Sequence, residues 1–343
     1  MQGALDRANG RGDALAGDAT FKRAMRGAPE ARAADAYVTA GGLRRLLVPQ
    51  GDLLGTLAAT LDRPGLKAAG LSVEARDEHV RLVATSIVDG ETGKPFEPEL
   101  LDAVPEDAMA YLGVNGISGA LGNLVTAAAG WSQAGGVGPL LQRLRTELGK
   151  RTGGGLERDL LGLLDGEVAV VLSRATPAPL LSLVTAVKDE DRTATVLKRL
   201  QQPLVKLLTP EGEQAPRWRA DDVGDGVRAQ TLAIPTGAEI TYAVFDGRLV
   251  VGTGPDAIRR IKDAKGSLPD REAFEKVERR SENTTSLGFL DFSQLLELGE
   301  QTGLNDSRAY QLAREDLRKV QAIGISSHSG EGETTAEILL SIP

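Results

Sequence analysis

The chain has no cysteine among its 343 residues. Disulfide bonds, thiolate metal sites and cysteine nucleophiles are therefore excluded. Aromatic residues make up only 3% of the sequence, so leucine, valine, isoleucine and alanine must fill the core. No apolar run approaches the roughly 18 residues of a membrane-spanning helix. Residues 1–12 also lack the apolar segment of a signal peptide.

Basic residues are also fewer than acidic residues. The 40 Lys and Arg residues face 48 Asp and Glu residues, which gives a net charge of −8. Binding to phosphates of nucleic acids needs a broad basic surface, so this balance argues against a nucleic-acid partner. The remaining composition, 41% hydrophobic and 26% charged, is ordinary for a globular protein. The length suits two or three domains, or one two-lobed domain.

One stretch predicts its structure most clearly. Two apolar runs, Ile240–Phe245 and Arg248–Gly252, flank Asp246-Gly247. This dipeptide favours a two-residue hairpin turn, because both of its residues tolerate positive φ. A helix is then predicted over Pro255–Lys265, since proline suits the first helical position. Its Ile258 is predicted to lie in the core, as is Phe274 further along the chain.

The chain also repeats itself. Ala4–Met25 aligns with Ala257–Glu278 at a constant offset that pairs Phe21 with Phe274. Later matches keep the same order with single-residue gaps, which predicts a duplicated unit. In each copy we expect a helix, a second helix, a strand, a third helix and a closing hairpin. The later matches are Ala36–Thr39 with Gly288–Asp291, Ala68–Ser72 with Ala322–Ser326, and Thr85–Ile87 with Leu340–Ile342.

These repeats set the predicted organisation. Residues 98–343 form a complete second unit, and residues 1–97 form the back half of a first unit plus a connector. The front half would lie upstream of Met1, and we expect residues 1–12 to be mobile. The predicted fold class is α+β, with antiparallel sheets packed by helices, built from internally duplicated hairpin-plus-helix units in two lobes.

Further elements follow from local patterns of apolar residues. We expect proline to kink or restart the last of the predicted helices at Pro203. The predicted strands are 108–114, 167–173, 181–187 and 227–234, the predicted helices are 118–128, 141–148, 156–164 and 193–208, and residues 209–226 are predicted to be an exposed loop.

Several short motifs match ligand-binding signatures on paper, and each has a simpler structural explanation. Gly252–Ala257 is similar to a dinucleotide fingerprint, but its strand belongs to a hairpin instead of a parallel βαβ unit. Gly90–Pro95 lacks the spacing of a phosphate-binding P-loop. Asp221–Gly226 is similar to a calcium loop but lacks the final glutamate ligand. Asp189–Asp191 is explained as a helix cap. We therefore assign no catalytic, cofactor-binding or metal-binding residue.

The two histidines of the chain, His79 and His328, fall in the two closing hairpins. We expect them at similar places in separate copies, in surface turns, where they cannot form a His-based triad or a three-histidine zinc site. Ser327–Ser329 lacks the strained turn of a nucleophile elbow. Trp131 and Trp218 flank Gly- and Arg-rich loops, and half-buried packing is favoured over a binding role for both.

Longer segments carry a resemblance that covers nearly the whole chain. The matching segments are Pro105–Tyr111, Leu160–Ala169, Leu183–Asp189, Tyr242–Thr253 and Ser267–Phe274. In them the sequence resembles a bacterial family known as domain of unknown function 3352, frequent in actinobacteria. That family has no established catalytic residues, so the resemblance implies no site. It does imply an extracytoplasmic protein, with the export signal expected upstream of Met1.

The leading hypothesis is a non-catalytic extracytoplasmic binding or scaffold module of the bacterial cell envelope. Under this hypothesis the protein is not an enzyme and has no cofactor, and its candidate partner is an envelope protein or a lipid. The alternative is a carrier that holds a lipid or lipoprotein in an apolar cleft, which Leu-rich segments such as Leu156–Leu164 motivate. A third class, a hydrolase with an unrecognised site, has no motif in its favour.

Overall fold

The computed structural model describes residues 15–47, 65–90, 93–116, 162–163, 166–209, 214–234 and 237–342. Its strands are β1 (Arg32–Thr39), β2 (Leu66–Ala75), β3 (His79–Val88), β4 (Ala108–Asn115), β5 (Glu167–Ser173), β6 (Leu180–Ala186), β7 (Trp218–Asp222), β8 (Arg228–Ala233), β9 (Glu239–Phe245), β10 (Arg248–Gly252), β11 (Thr284–Asp291), β12 (Ala322–Gly330) and β13 (Glu333–Ser341). Its helices are α1 (Ala19–Ala24), α2 (Ala40–Gly42, followed by a π-helical turn over Leu43–Leu47), α3 (Glu190–Leu208), α4 (Pro255–Lys262), α5 (Glu272–Val277), α6 (Phe292–Gln301) and α7 (Arg308–Leu317). Short 3-10 turns lie at Leu15–Gly17, Glu99–Ala103, Leu268–Asp270 and Leu304–Asp306.

The chain divides into two compact units. Unit 1 comprises residues 1–95, 277–286 and 303–343, and unit 2 comprises residues 96–276 and 287–302. In unit 1, strands β1, β2, β3, β13 and β12 lie side by side in that order, all antiparallel. In unit 2 the antiparallel order is β4, β5, β6, β10, β9, β8 and β7. The predicted α+β class with antiparallel sheets and helices is therefore confirmed. The two lobes and the repeat boundary at residue 97 stay predictions.

The hairpin at Asp246-Gly247 forms as predicted. Both turn residues have positive φ, 49° and 68°, and the flanking strands β9 and β10 pair directly. Helix α4 begins at Pro255, and its Ile258 is fully buried. The helix ends at Lys262 instead of Lys265, because the backbone then turns toward residues 104–106. There Leu268 donates its N–H to the carbonyl of Val104, and Gly266 accepts from the N–H of Glu106.

In the neighbouring region one prediction is wrong and another holds only in part. Helix α3 runs from Glu190 to Leu208 with Pro203 inside it, so the helix does not restart there, and the alternative of a kink stays a prediction. The predicted loop 209–226 contains strand β7, which pairs with β8. The strand is held by Trp218, whose ring packs edge-to-face against Tyr242 at 5.3 Å and whose Nε1 donates to a carbonyl of α3. Trp218 is half-buried, as predicted.

Two stretches of the chain, residues 15–88 and 268–341, share a series of elements, and the second also has a 3-10 turn and α7 between α6 and its hairpin. Each contains a 3-10 turn, a short helix (α1 or α5), a strand (β1 or β11), a helix (α2 or α6) and a hairpin (β2–β3 or β12–β13). Phe21 packs edge-to-face against Tyr37 at 5.1 Å, and Phe274 packs in the same way against Phe289 at 5.6 Å. The short helix and the following strand are thus joined by the same ring contact in both stretches.

The glycines of these stretches match as well. A Cβ on Gly70 would overlap the carbonyl oxygen of Ala24 in α1, and a Cβ on Gly324 would overlap that of Val277 in α5. These close approaches need a residue without a side chain. Gly70 and Gly324 lie 254 positions apart (324 minus 70), and so do their hairpin partners, because Gly70 pairs with Thr85 and Gly324 pairs with Leu339.

This offset corrects one part of the sequence alignment. Matching Thr85–Ile87 with Leu340–Ile342 uses an offset of 255. Because strand residues alternate between faces, an odd offset would place matched residues on opposite faces of the sheet. Because Thr85 pairs with Gly70 and Leu339 pairs with Gly324, the two hairpins match Thr85 with Leu339. The predicted helices 118–128 and 141–148, most of helix 156–164, Trp131 and the predicted mobility of residues 1–12 lie outside the described residues.

Candidate ligand-binding groove

Polar side chains of unit 1 are concentrated on one face of β2, β3, β13 and β12. Residues paired across antiparallel strands share a face, and alternate residues along each strand return to it. The pairing therefore arranges this face in rows across the strands. In order, the rows contain His79 and Ser341; Glu74, Arg81, Leu339 and Gly324; Ser72, Val83, Glu337 and Ser326; and Gly70, Thr85, Thr335 and His328.

A groove with a volume of about 550 Å³ lies over these rows. One wall comes from the chain that leaves α5. At the start of this segment, Val277 lies against Gly324 of β12. Further along it, Ser281 contacts His328 of the same strand. It thereby places the Arg279-Arg280 pair beside the groove. The groove lining is completed by Glu74, Arg76, His79, Arg81, His328, Glu337 and Leu339.

The floor of the groove is a network of charges built on two buried carboxylates. The Nε and NH2 groups of Arg81 donate to both carboxylate oxygens of Glu337 at 2.7 and 2.9 Å, and its NH1 lies 3.8 Å from Glu74. The Nε of Arg76 donates to Glu74 at 2.7 Å. The side chains of Glu74 and Glu337 are only 3% and 10% exposed. Their hydrogen bonds to arginine satisfy them, and the bond to Glu337 raises the pKa of Arg81.

His328 lies at one end of the groove between two hydroxyl groups. Its Nδ1 lies 2.9 Å from Oγ of Ser281, and its Nε2 lies 3.2 Å from Oγ of Ser326. Burial lowers the pKa of His328, and the negative charge of Glu337 offsets part of this effect. The imidazole is therefore neutral at neutral pH, and hydrogen bonds to hydroxyl groups fix its orientation.

The structure corrects the prediction for the two histidines. Both lie in strands instead of turns, and the offset of 254 matches His328 with Glu74, and His79 with Glu333. The two rings line the same groove. The row of His79 and the row of His328 are separated by six residues along a strand, which corresponds to about 20 Å. The predicted absence of a site shared by both rings is consistent with this distance.

Three arginines at the rim keep free donors. Arg279 donates NH1 to the adjacent carbonyl of Glu278 at 2.6 Å, and Arg280 donates Nε to the Glu278 carboxylate. Arg76 uses its Nε and NH2 for Glu74. In the part of the chain that the structure describes, no contact occupies the remaining N–H groups of these residues. The lining has four arginines and two glutamates, and the Glu278 carboxylate pairs with Arg280 beside it, which leaves a surplus of one positive charge in a chain of net charge −8.

A second cleft, in unit 2, differs in its charge balance. It has a volume of about 690 Å³ and is lined by four basic and four acidic residues. Arg260 pairs with Asp107, and NH1 of Arg259 donates to Asp256 at 2.6 Å. Arg174 pairs with Glu297 at 3.0 Å. The basic residues of this cleft are balanced within the protein, so the cleft has no surplus charge.

The short motifs of the sequence take structural roles. Gly252–Ala257 joins the antiparallel strand β10 to α4, which excludes the parallel unit of a dinucleotide site. In Asp221–Gly226, the carboxylate of Asp222 accepts from the backbone N–H of Gly224 at 2.8 Å. Asp225 pairs with Lys262 at 2.5 Å, so the carboxylates of Asp222 and Asp225 both have protein partners. Asp189 caps α3, as predicted.

One ionisable residue in unit 2 gave no signal in the sequence. Glu167, at the start of β5, accepts a hydrogen bond from the backbone N–H of Leu100 at 3.0 Å. Its other oxygen, Oε1, is buried without a hydrogen-bond partner. Burial raises the pKa of Glu167 to about 7, against the lowering effect of its backbone hydrogen bonds. Alternating apolar residues predict strand β5, but they do not predict that the side chain of its first residue, Glu167, is partly buried.

Two further observations limit the chemistry of the described part of the chain. Within it, no cluster of three or more histidine, aspartate or glutamate side chains could hold a metal ion. None of its helices is both long enough and apolar enough to pass through a membrane.

Comparison with known proteins gives a family and two distant structures. The profile of a family described as "Protein of unknown function (DUF3352)" matches residues 1–342. No curated protein matches the chain. Crystal forms I and III of TP0453 are similar at 13% and 11% identity, cover 72% and 73% of this chain and 79% and 93% of that chain, and have a TM-score of 0.32 each. Structural similarity at this level supports no inference about this chain. The family match extends over almost every residue, and the chain therefore belongs to the DUF3352 family.

Proposed function

We propose that the protein is a non-catalytic binding or scaffold module of the bacterial cell envelope, and that it holds an acidic ligand in the groove of unit 1. One observation carries this proposal. The groove has a surplus of arginine over carboxylate, although the chain as a whole is acidic. A pre-ordered charged floor of this kind attracts ions of opposite charge and lowers the entropic cost of binding them.

The proposal that the protein is not an enzyme rests on how its ionisable groups are used. The floor carboxylates are bonded to arginine, which leaves them unsuited to proton transfer. Among the described residues, the contact between Ser281 and His328, at 2.9 Å, is the one that favours a hydrolase. The other nitrogen of His328 meets the hydroxyl of Ser326, whereas a catalytic triad places a carboxylate there.

Labelling with a fluorophosphonate probe tests this point. The probe reacts with activated serines, so we expect no adduct on Ser281. An adduct on the wild type that is absent from Ser281→Ala and from His328→Gln would support the hydrolase and overturn the non-catalytic proposal.

The envelope location is proposed from family membership alone. We expect the native protein to lie outside the cytoplasm. Fractionation of the host followed by immunodetection tests this. Recovery of the full-length protein in the cytoplasmic fraction alone would overturn the location and leave the groove proposal standing.

We also propose that residues 15–88 and 268–342 arose by duplication. The support is the shared order of elements, the matching aromatic pairs and the two glycines under α1 and α5. An experimental structure of both stretches tests it. Superposition should bring Phe21 onto Phe274 and Gly70 onto Gly324, and different strand pairing in the two stretches would refute duplication.

The carrier of a lipid or lipoprotein remains the competing function. Native mass spectrometry of protein purified from its host separates the two. A bound polar, anionic species supports the proposed binding function. An acyl lipid without a charged headgroup would support the carrier instead, because the arginines of the groove would add nothing to its recognition.

A further inference from the structure

We infer that the ligand of the groove carries a phosphate group, and that Arg279, Arg280 and Arg76 bind it. This inference rests on the proposed function and names its ligand class. Phosphate can come from a soluble phosphate ester or from a lipid headgroup, and both present the same oxygen atoms to the three arginines.

The excess of positive charge in the groove favours an anionic ligand. Its four arginines face three carboxylates, those of Glu74, Glu337 and the Glu278 that pairs with Arg280, so one positive charge is in surplus. A phosphate monoester carries about 1.5 to 2 negative charges at neutral pH on several oxygen atoms, so it can accept hydrogen bonds from more than one guanidinium group. Burial keeps His328 neutral, so the arginines supply the balancing charge.

The free N–H groups of the rim arginines also favour phosphate. The planar guanidinium group presents several N–H groups in a fork that matches phosphate oxygens. Arg279 and Arg280 are adjacent and exposed, and their described bonds use one N–H group each, both toward Glu278. Two neighbouring forks with free donors suit an anion that accepts several hydrogen bonds at once.

The arrangement of the floor also permits an anion to enter. Glu74 is 3% exposed and lies beneath Arg76 and Arg81, so an incoming phosphate meets guanidinium groups instead of the carboxylate. Arg81 is committed to Glu337 through both of its strong bonds. We therefore assign ligand contact to the rim arginines, and assign to Arg81 the positioning of the floor.

Isothermal titration calorimetry with inorganic pyrophosphate tests the inference on the full chain. Wild-type protein should bind the probe, and Arg279→Gln/Arg280→Gln should raise Kd by at least about tenfold, since it removes two charge-assisted donors. The matched control is Arg174→Gln/Arg259→Gln, which removes the same charge from the cleft of unit 2. The control should stay within about twofold of wild type, because exposed charges that do not line the groove are screened by salt.

Three outcomes would overturn the inference: absence of pyrophosphate binding to the wild type, an equal loss in both double variants, or no loss in either. Circular dichroism of each variant establishes that it is folded. Flotation with phosphatidic acid vesicles, against phosphatidylcholine vesicles, distinguishes a lipid headgroup from a soluble ester. A host-derived ligand without phosphorus would overturn this inference alone and leave the proposed binding function standing.

Discussion

Removal of the Arg81 side chain should destabilise unit 1 strongly. Arg81 is the residue that joins Glu74 on β2 to Glu337 on β13, and both carboxylates are nearly inaccessible to water. Arg81→Gln leaves Glu337 buried with no cation bonded to it, and leaves Glu74 with Arg76 alone. Loss of one partner from a buried ion pair costs about 3–5 kcal/mol. The Arg81 side chain is itself 34% exposed, so water will screen part of the loss, and we expect about 2–4 kcal/mol.

Urea unfolding at pH 7, followed by circular dichroism, measures this change. The matched control is Arg219→Gln in unit 2. Arg219 also bridges two carboxylates, Asp221 of its own strand β7 at 3.1 Å and Glu239 of β9 at 2.8 Å, but its side chain is 47% exposed. We expect its unfolding midpoint to be indistinguishable from wild type, because exposed ion pairs contribute little.

A double variant separates the buried charge from other effects. Arg81→Gln/Glu337→Gln replaces the ion pair with two neutral amides, and it should recover more than half of the stability lost in Arg81→Gln. The argument fails if Arg81→Gln unfolds at the wild-type midpoint. It also fails if the double variant is as unstable as the single one, since the cost would then not come from an unpaired carboxylate.

Other substitutions test separate parts of the structure. Gly324→Ala should cost about 1–3 kcal/mol, because its Cβ would overlap the carbonyl of Val277, whereas Gly17→Ala, with open space around it, should show no such loss in urea unfolding. Phe274→Ala should cost about 3–5 kcal/mol, because the ring is 2% exposed; an unchanged midpoint would show that α5 is not docked. For Glu167 the pKa of the folded state, about 7, exceeds the ordinary value of 4.5, so the folded protein binds a proton more tightly than the unfolded chain. The resulting stability is present below about pH 4.5 and disappears as the pH rises through about 7. Glu167→Gln should remove this dependence from urea midpoints measured between pH 5 and pH 8, and an unchanged slope would contradict the assignment.

Local sequence patterns predicted much of the fold. Asp246-Gly247 specifies its turn because few residues accept positive φ at both positions, and the turn formed as predicted. Ile258 and Phe274 are buried as predicted, since apolar residues at helical spacing mark the packed face. Strand β7 was missed because its burial depends on Trp218 packing against Tyr242, a contact that the sequence near Trp218 does not reveal.

The groove could not be predicted, because it depends on which strands become neighbours. The sequence placed His79 and His328 in two hairpins but did not show that β3 pairs with β13. That pairing is what brings Arg81 beside Glu337, which lies 256 positions away along the chain. A sequence signal did exist in hindsight: charged residues recur at every second position through Glu74 and Arg76, where alternating residues of one strand face would normally be apolar.

The central claim is that the groove of unit 1 is the ligand site of a binding protein. Native mass spectrometry of the wild type and of Arg279→Gln/Arg280→Gln, both purified from the host, tests it most directly. We predict a bound polar, anionic species on the wild type, and its loss from the variant while the variant remains folded. A wild-type protein that carries no ligand, or an equal amount of the same ligand on both proteins, would contradict the claim.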